Sequence, residues 1–311
     1  MPNNEILGLL QKFGAITNSC IEIGLANDAY SLRRLSELSY RTLAGYRCPS
    51  CYKLGAIARA AGILAARKKS LRRGMPSKTS YSLKPSLASC YRFKIKGNTF
   101  SFPVGEGRTF GILLTQHTLR VLSDTNLMVR SFVLTSSTIS LCIFRGVPIV
   151  ECIDKAGVDR NLRNLTLGNE QRITQYDLSK AAKVAATTRS IISSFERNDA
   201  RIRKKIASKY GRRRRDRTNH LLHKVTKRIV EQAERRREVL VLENLTGMRN
   251  RFLRREGGTR ASRGAMNSWK FHEAQRQLEY KAAWQGLSKI QLAKKETRGT
   301  SVTCPTCGER L

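Results

Sequence analysis

Two acidic residues stand where acids are costly. Asp159 lies in the run Gly157-Val158-Asp159-Arg160-Asn161, where the chain enters a predicted hairpin. Glu243 directly follows the compact apolar run Val239-Leu240-Val241-Leu242. An acid at the end of a buried strand must be paired or must hold a metal. The residues leave two readings open. In one, Glu243 is salt-bridged to an arginine. In the other, Asp159 and Glu243 converge across adjacent strands and share divalent cations. Carboxylate oxygens are the ligands Mg²⁺ prefers, and two metals about 4 Å apart activate water and stabilise the leaving oxygen of a phosphodiester.

Thiols form a second constellation. Cys304-Pro-Thr-Cys307-Gly308 spaces two thiolates for one ion, and the glycine permits the tight turn. This is half of a zinc-ribbon knuckle, since tetrahedral zinc takes four ligands. Cys48-Pro-Ser-Cys51, at a predicted loop–helix junction far earlier in the chain, is a weaker candidate to complete it. Eight cysteines in 311 residues are too few for a disulfide scaffold. Cys20, Cys90, Cys142 and Cys152 therefore read as small core fillers in a reducing compartment.

Cations form the third. Arg212, Arg213, Arg214, Arg215 and Arg217 follow Gly211, Lys224, Lys227 and Arg228 continue, and Arg235, Arg236 and Arg237 close a predicted helix. Any one of them is ordinarily a solvated side chain. Together they lack acid partners in number and read as a surface that tracks a nucleic-acid backbone. His220 and His223 share a helical face without a carboxylate, which favours phosphate contact or packing over zinc. Core packing is the expectation for Trp269 and Trp284. Gly105-x-Gly107 has no helix signature after it and reads as a turn. Neither a Gly-x-Ser-x-Gly elbow nor a Walker loop occurs, so serine-hydrolase and NTPase chemistry have no support.

The composition points the same way. Lys and Arg number 59 against 23 Asp and Glu, a formal net charge of +36. Residues 1–154 carry 21 basic and 8 acidic groups, and 155–311 carry 38 and 15. A polyphosphate partner is the simplest counterpart of such a field. With 40% hydrophobic residues the chain has enough apolar material for real cores. No apolar run approaches the ~18 residues of a membrane span, and the opening residues lack the pattern of a secretory signal. A cytoplasmic protein is the expectation.

The elements that must position these residues follow from periodicity. Ile6, Leu9, Leu10 and Phe13, then Leu54, Ile57, Ala58, Ala61 and Leu64, fall at helical spacing in a helical region, 1–76. Short alternating runs such as Tyr91-x-Phe93-x-Ile95 and 138–143 mark a β-rich, barrel-like region, 77–154. In 155–299 a strand pair (157–169) precedes a long helix from about 177 to 209, which Gly211 interrupts before a second helix carrying Leu221, Val225, Ile229 and Ala233. The run 239–242 suits a parallel strand covered on both faces. A helix over about 267–285 and a strand over 289–292 follow, and 300–311 holds the cysteine knuckle.

In that order, Gly157-Val-Asp-Arg-Asn-Leu-Arg-Asn-Leu-Thr166, the arginine-rich helical hairpin with Leu222-His223-Lys224, Val241-Leu-Glu-Asn-Leu245 and Thr300-Ser-Val-Thr-Cys-Pro-Thr-Cys-Gly308 resemble the TnpB (OrfB) family of insertion-sequence proteins. The match is specific over about 155–311 and compatible before it. The resemblance implies an α/β RNase H-like (RuvC-like) core with a long helical insert, preceded by a helical recognition part and a β-barrel wedge, with a zinc ribbon. It implies RNA-guided cleavage of DNA, with a guide derived from the transposon end. By position, Asp159 and Glu243 match the first two catalytic carboxylates, and Cys304 and Cys307 the first zinc pair. Mg²⁺ and Zn²⁺ are the implied cofactors, DNA and guide RNA the implied partners, and a dimer is compatible. The family's third catalytic Asp and second Cys pair lie beyond the first knuckle, so the expectation is a shortened copy with impaired cleavage. A non-catalytic DNA- or RNA-binding transposition regulator or repressor is the alternative.

Overall fold

The computed structural model describes residues 3–75, 80–83, 86–105, 107–195, 200–245, 259, 264, 266, 269–293, 295–297, 307 and 309. The chain divides into two compact units, Met1–Gly146 and Val147–Leu311.

In the first unit, helix α1 (Asn4–Ala26) starts at Asn3, whose side chain accepts the Glu5 N–H at 2.7 Å. Helices α2 (Leu32–Ser39) and α3 (Ser50–Arg72) follow, separated by a short 3₁₀ turn at Thr42–Gly45. Leu9, Leu10, Phe13, Ile16 and Ile21 of α1 share a core with Tyr52, Ala56, Ile57, Ala60 and Leu64 of α3. Gly24 allows α1 its close approach to α3, because a Cβ there would stand 2.4 Å from Leu64 Cδ1. Leu54 and Ala58, read at core spacing, face outward instead.

The β-rich segment forms two three-stranded antiparallel sheets. One is ordered β1 (Leu87–Ser89), β5 (Leu127–Leu134), β6 (Ile139–Arg145). The other is ordered β2 (Lys94–Lys96), β3 (Thr99–Gly105), β4 (Arg108–Leu113). Helix α4 (Gln116–Leu122) lies between β4 and β5 in the chain. Gly105 (φ +121°) and Gly107 (φ +75°) make the β3–β4 turn in backbone regions that favour glycine. Phe100, Phe102 and Phe132 are fully buried, with ring centroids 5.2–6.0 Å apart. The helical and β-rich segments share this one core. The Tyr52 hydroxyl donates to the Pro103 carbonyl at 2.8 Å, and Gly55 backs onto the Ala88 carbonyl, where a Cβ would be 2.7 Å away.

The second unit is built on one mixed sheet of five strands in the order β11-β10-β7-β8-β9. Strands β7 (Asp154–Arg160), β8 (Asn164–Gly168) and β9 (Ile173–Asp177) pair antiparallel. Strands β10 (Glu238–Leu242) and β11 (Lys289–Gln291) add to β7 in parallel. Parallel pairing needs a crossover, and helices supply both. Helices α5 (Ser179–Ser193) and α6 (Ala200–Arg236) lie between β9 and β10, and α7 (Phe271–Trp284) between β10 and β11. Leu222, Val225, Ile229 and Ala233 of α6 and Ala274, Leu278 and Ala282 of α7 share a core with Ala156, Val158, Leu165, Leu167, Leu240 and Leu242 of the sheet.

Three expectations are corrected here. Strand β10 is fully buried on one face only: Glu238, Leu240 and Leu242 are enclosed, Val239 and Val241 half-buried. Helix α6 runs unbroken through Gly211, and the helical interruption falls after Ser193 instead. A lone glycine costs a helix only about 1 kcal/mol relative to alanine, which 36 neighbours in one cooperative helix absorb. Strand β9, with polar Thr174, Gln175 and Asp177, gives no clean alternation and was not expected. No helix among the described residues is long and apolar enough to cross a membrane.

A Cβ at Gly211 would meet nothing within 4 Å. Gly211→Ala is therefore expected to stabilise the second unit by about 0.5–1 kcal/mol. Thermal unfolding followed by circular dichroism reads this as a higher midpoint, and a lower one would show that α6 is not helical there.

Candidate carboxylate pair and nucleic-acid interface

The parallel register of β7 with β10 sets the two acids side by side. Gly157 is paired with Val241 and Val158 with Leu242, so the next residue on each strand is Asp159 and Glu243. Asp159 is exposed and Glu243 half-buried. Their proximity is felt electrostatically. Burial raises the proton affinity of the Glu243 carboxyl, the Asp159 charge raises it further, and Arg160 opposes both. Two like charges at one strand end repel, which favours either a shared cation or a proton. Asn161 donates to Asp159 Oδ2 at 2.6 Å and orients that carboxylate.

The arginine of the simpler reading is present, but it takes the main chain. Arg160 is only 4% exposed and points to the helix-covered side of the sheet. Its guanidinium donates to the backbone carbonyl of Glu243 and, at 2.9 Å, to Gln275 Oε1 on α7. Among the described residues, no ion pair holds the carboxylate of Asp159 or of Glu243. Burial lowers Arg160's hold on its proton, and the charges of Glu243, Asp159 and Glu279 support it. Arg160 and Gln275 are positioning residues that sequence spacing did not single out. The one available signal was Arg160 directly after Asp159 at an inward-facing strand position.

A second acid pair occupies the opposite end of the same two strands. Asp154 is paired with Glu238 in register, and Asn169 donates to Asp154 at 2.8 Å and to Glu238 at 3.4 Å. An amide donor already bridges that pair. The Asp159–Glu243 end has no such bridge among the described hydrogen bonds.

Cations gather on α5 and α6. Lys180, Lys183, Arg213, Arg214 and Arg217 line a groove of about 370 Å³ between the two helices, with Tyr210 at its side. None of the described residues lining it is acidic. Val184 and Ile191 give it an apolar floor, and the Arg213 guanidinium lies 5.7 Å from the Tyr210 ring centroid. Arg212 projects beside a neighbouring basic depression with Arg201, Lys204, Lys205 and Lys209. Arg215 is paired with Asp216 at 3.3 Å. Lys180 and Lys183 were missed, although their i, i+3 spacing puts them on one helix face.

The remaining cations do not join this groove. Arg235, Arg236 and Arg237 stand at the far end of α6, about 33 Å from Arg214 at 1.5 Å per residue. Arg237 takes a left-handed conformation (φ +53°), and its carbonyl accepts the Ile153 N–H at 2.8 Å as the chain leaves the helix. His223 is half-buried with Tyr280 Oη 3.3 Å from its Nδ1, and burial together with Lys281 lowers its proton affinity. Lys224 is exposed on the same helix.

Cys304 lies outside the described residues, and Cys307 is exposed. Cys51 is buried and Cys48 half-buried at the start of α3. Burial pushes the Cys48 thiol up to about 11, which disfavours the thiolate that zinc requires. Among the described residues no group of three His, Cys, Asp or Glu could hold a metal ion.

The second unit is thus a mixed α/β layer with two neighbouring carboxylates at a strand end and a basic groove on its helices. No family model matches the chain. The TnpB-like protein MJ0751 of Methanocaldococcus jannaschii is 28% identical over 160 residues, covering 46% of this chain and 55% of that protein. The match thus spans little more than half of the curated relative. In fold the chain is similar to a solved cryo-EM structure of a Cas12f1–sgRNA–target DNA complex, with a TM-score of 0.64 and 16% identity, over 99% of this chain and 76% of that one. The first likeness is one of sequence over about half of each chain, the second one of fold.

Because Glu243 holds its proton more tightly when folded, folding loses stability as pH rises through that raised value. Glu243→Gln removes the penalty and is expected to raise the melting temperature at pH 7. The gain should vanish below about pH 4, where the carboxyl is protonated in both states. An equal gain at both pH values would show that Asp159 and burial do not act on Glu243.

Proposed function

We propose that the chain is a transposon-associated, RNA-guided nuclease component acting on DNA. In this reading the mixed sheet is an RNase H-like (RuvC-like) core, Asp159 and Glu243 are its metal-ligating carboxylates, and the α5–α6 groove tracks nucleic-acid phosphates. The observation that carries it is the strand register that brings two acids distant in sequence to one strand end. The donor set fits a hard divalent cation: two carboxylates, one exposed, mutually repelling and in no ion pair among the described residues. When bound there, Mg²⁺ supplies activation of water and stabilisation of the leaving oxygen of a phosphodiester.

The chain's own residues do the rest. Arg160 holds the end of β10 beside β7 through the Glu243 carbonyl, Asn161 orients Asp159, and the cations of α6 hold phosphates. The solved neighbour is a complex with sgRNA and target DNA, which supports the same two partners here. Cys304 and Cys307 supply two of four thiolate positions for zinc within the same reading. A second reading, a nucleic-acid-binding transposition regulator without cleavage, is favoured by the absence of a third metal-binding side chain among the described residues.

The deciding experiment incubates the protein with Mg²⁺, plasmid DNA and RNA transcribed from the DNA flanking its gene. Cleavage that Asp159→Ala removes, with RNA binding retained, is the expected result. Cleavage indifferent to Asp159→Ala would overturn the carboxylate assignment, and RNA binding without any cleavage would select the regulator. Replacing Arg213, Arg214 and Arg217 together by Gln should reduce the slope of log affinity against log salt by about 2 for RNA, since each phosphate contact contributes about 0.7–0.9. An unchanged slope would place the nucleic acid elsewhere.

A further inference from the structure

Trp284 departs from its expected role. Trp269 is 3% exposed and packs edge-on against Phe271 at 5.8 Å, as a core tryptophan should. Trp284 is 40% exposed, and Tyr280, one turn earlier on α7, is 41% exposed. The core-facing stripe of α7 is complete without them, in Phe271, Ala274, Leu278 and Ala282. Two aromatic rings at i, i+4 are thus held in the open, at a cost in exposed apolar area that folding does not require.

The two rings wall a groove of about 420 Å³ between α6 and α7, whose exposed surface is mainly apolar. Val230 lies against it, and Lys227, Glu231, Lys281 and Gln285 supply its polar atoms. Lys281 is anchored by the His223 carbonyl and Thr226 Oγ1, each 2.7 Å from Nζ. The acids nearby are engaged: Glu231 with Lys227 at 3.5 Å and Glu234 with the Gln285 amide at 3.0 Å. The Arg276 guanidinium, paired with Glu273 at 2.7 Å, stands 5.5 Å from the Tyr280 ring centroid, and Lys224 is exposed one turn before Lys227 on α6. Flat aromatic faces inside a cationic rim match an unpaired nucleobase joined to phosphates, since every base has a face to stack and a backbone to neutralise.

We propose that the Tyr280–Trp284 groove captures an unpaired nucleobase of a single-stranded nucleic acid, with Trp284 as the stacking platform. This rests on the nucleic-acid reading above but adds a contact that phosphate attraction does not make. The rim selects a polyanion over an apolar peptide, and a duplex presents no free base face to the ring.

The chain has two tryptophans, of which Trp284 lines the groove and Trp269 is buried, so the part of the emission that Trp284→Phe removes reports on the groove. The test titrates the full protein with an oligoadenylate of about ten nucleotides and with an abasic strand of equal charge, reading tryptophan emission and fluorescence anisotropy together. Oligoadenylate should quench the emission and the abasic strand should not, although both bind. Trp284→Phe should remove the quench, and Trp284→Ala should weaken oligoadenylate binding about 10-fold or more while leaving the salt slope unchanged. Equal quenching by the abasic strand, or oligoadenylate binding with no quench, would overturn the groove proposal and leave the phosphate surface standing. Failure of both strands to bind would overturn the nucleic-acid reading itself. A blue shift with protein concentration alone would show a second copy seated in the groove, which also overturns the proposal.

Discussion

The second unit depends on one buried guanidinium. Burying Arg160 carries a desolvation cost, which its contacts with the Glu243 carbonyl and Gln275 offset in part, Nε having no hydrogen-bond partner among the described residues. Those contacts tie three elements together: the end of β7, the end of β10 and the middle of α7. With β10 held at that point, residues 159 and 243 stand side by side at one end of these two inner strands. Alternation then does the rest, turning Arg160 inward toward the helices and Asp159 outward. One arginine thereby satisfies a backbone group, and its charge acts on both neighbouring carboxylates without an ion pair to either among the described residues.

Helix α6 is stabilised unevenly along its length. Its buried residues run from Thr218 to Ala233, a stripe that packs on the sheet and carries the tertiary stabilisation. The stretch from Ala200 to Arg217 buries nothing and concentrates like charges at i, i+3 and i, i+4 spacing, which destabilises an isolated helix. Its cations face the α5 groove and the adjacent depression, where the lining residues offer no acid. In the reading proposed above a polyanion supplies the missing counter-charge. This stretch is the part of the helix whose own physics is least satisfied by the rest of the second unit.

Much of this was legible in the residue pattern. The Asp159 and Glu243 positions stood out because each breaks an apolar context, and the register confirms that they are neighbours. The helical first segment and the alternating second were plain from their periods. Local pattern failed where tertiary packing decided. Gly211 punctuates a sequence, but cooperativity carries a helix across it. The run 239–242 reads as enclosed on both sides, because apolar content is all that a short window reports, while the sheet has helices against one face. Trp284 lies on a helix with an inward stripe, and only the position of that stripe shows that the ring is outside it.

From the order of its residues alone the chain determines its charge, its strand and helix periods, and which acids are out of place, because those are properties of local composition. Tertiary structure alone decided that Asp159 and Glu243 share a strand end, that Arg160 serves a carbonyl instead of a carboxylate, and that Arg235 to Arg237 stand far from Arg213. Those outcomes rest on strand register and helix length, which couple residues many tens of positions apart and leave no trace in any short window.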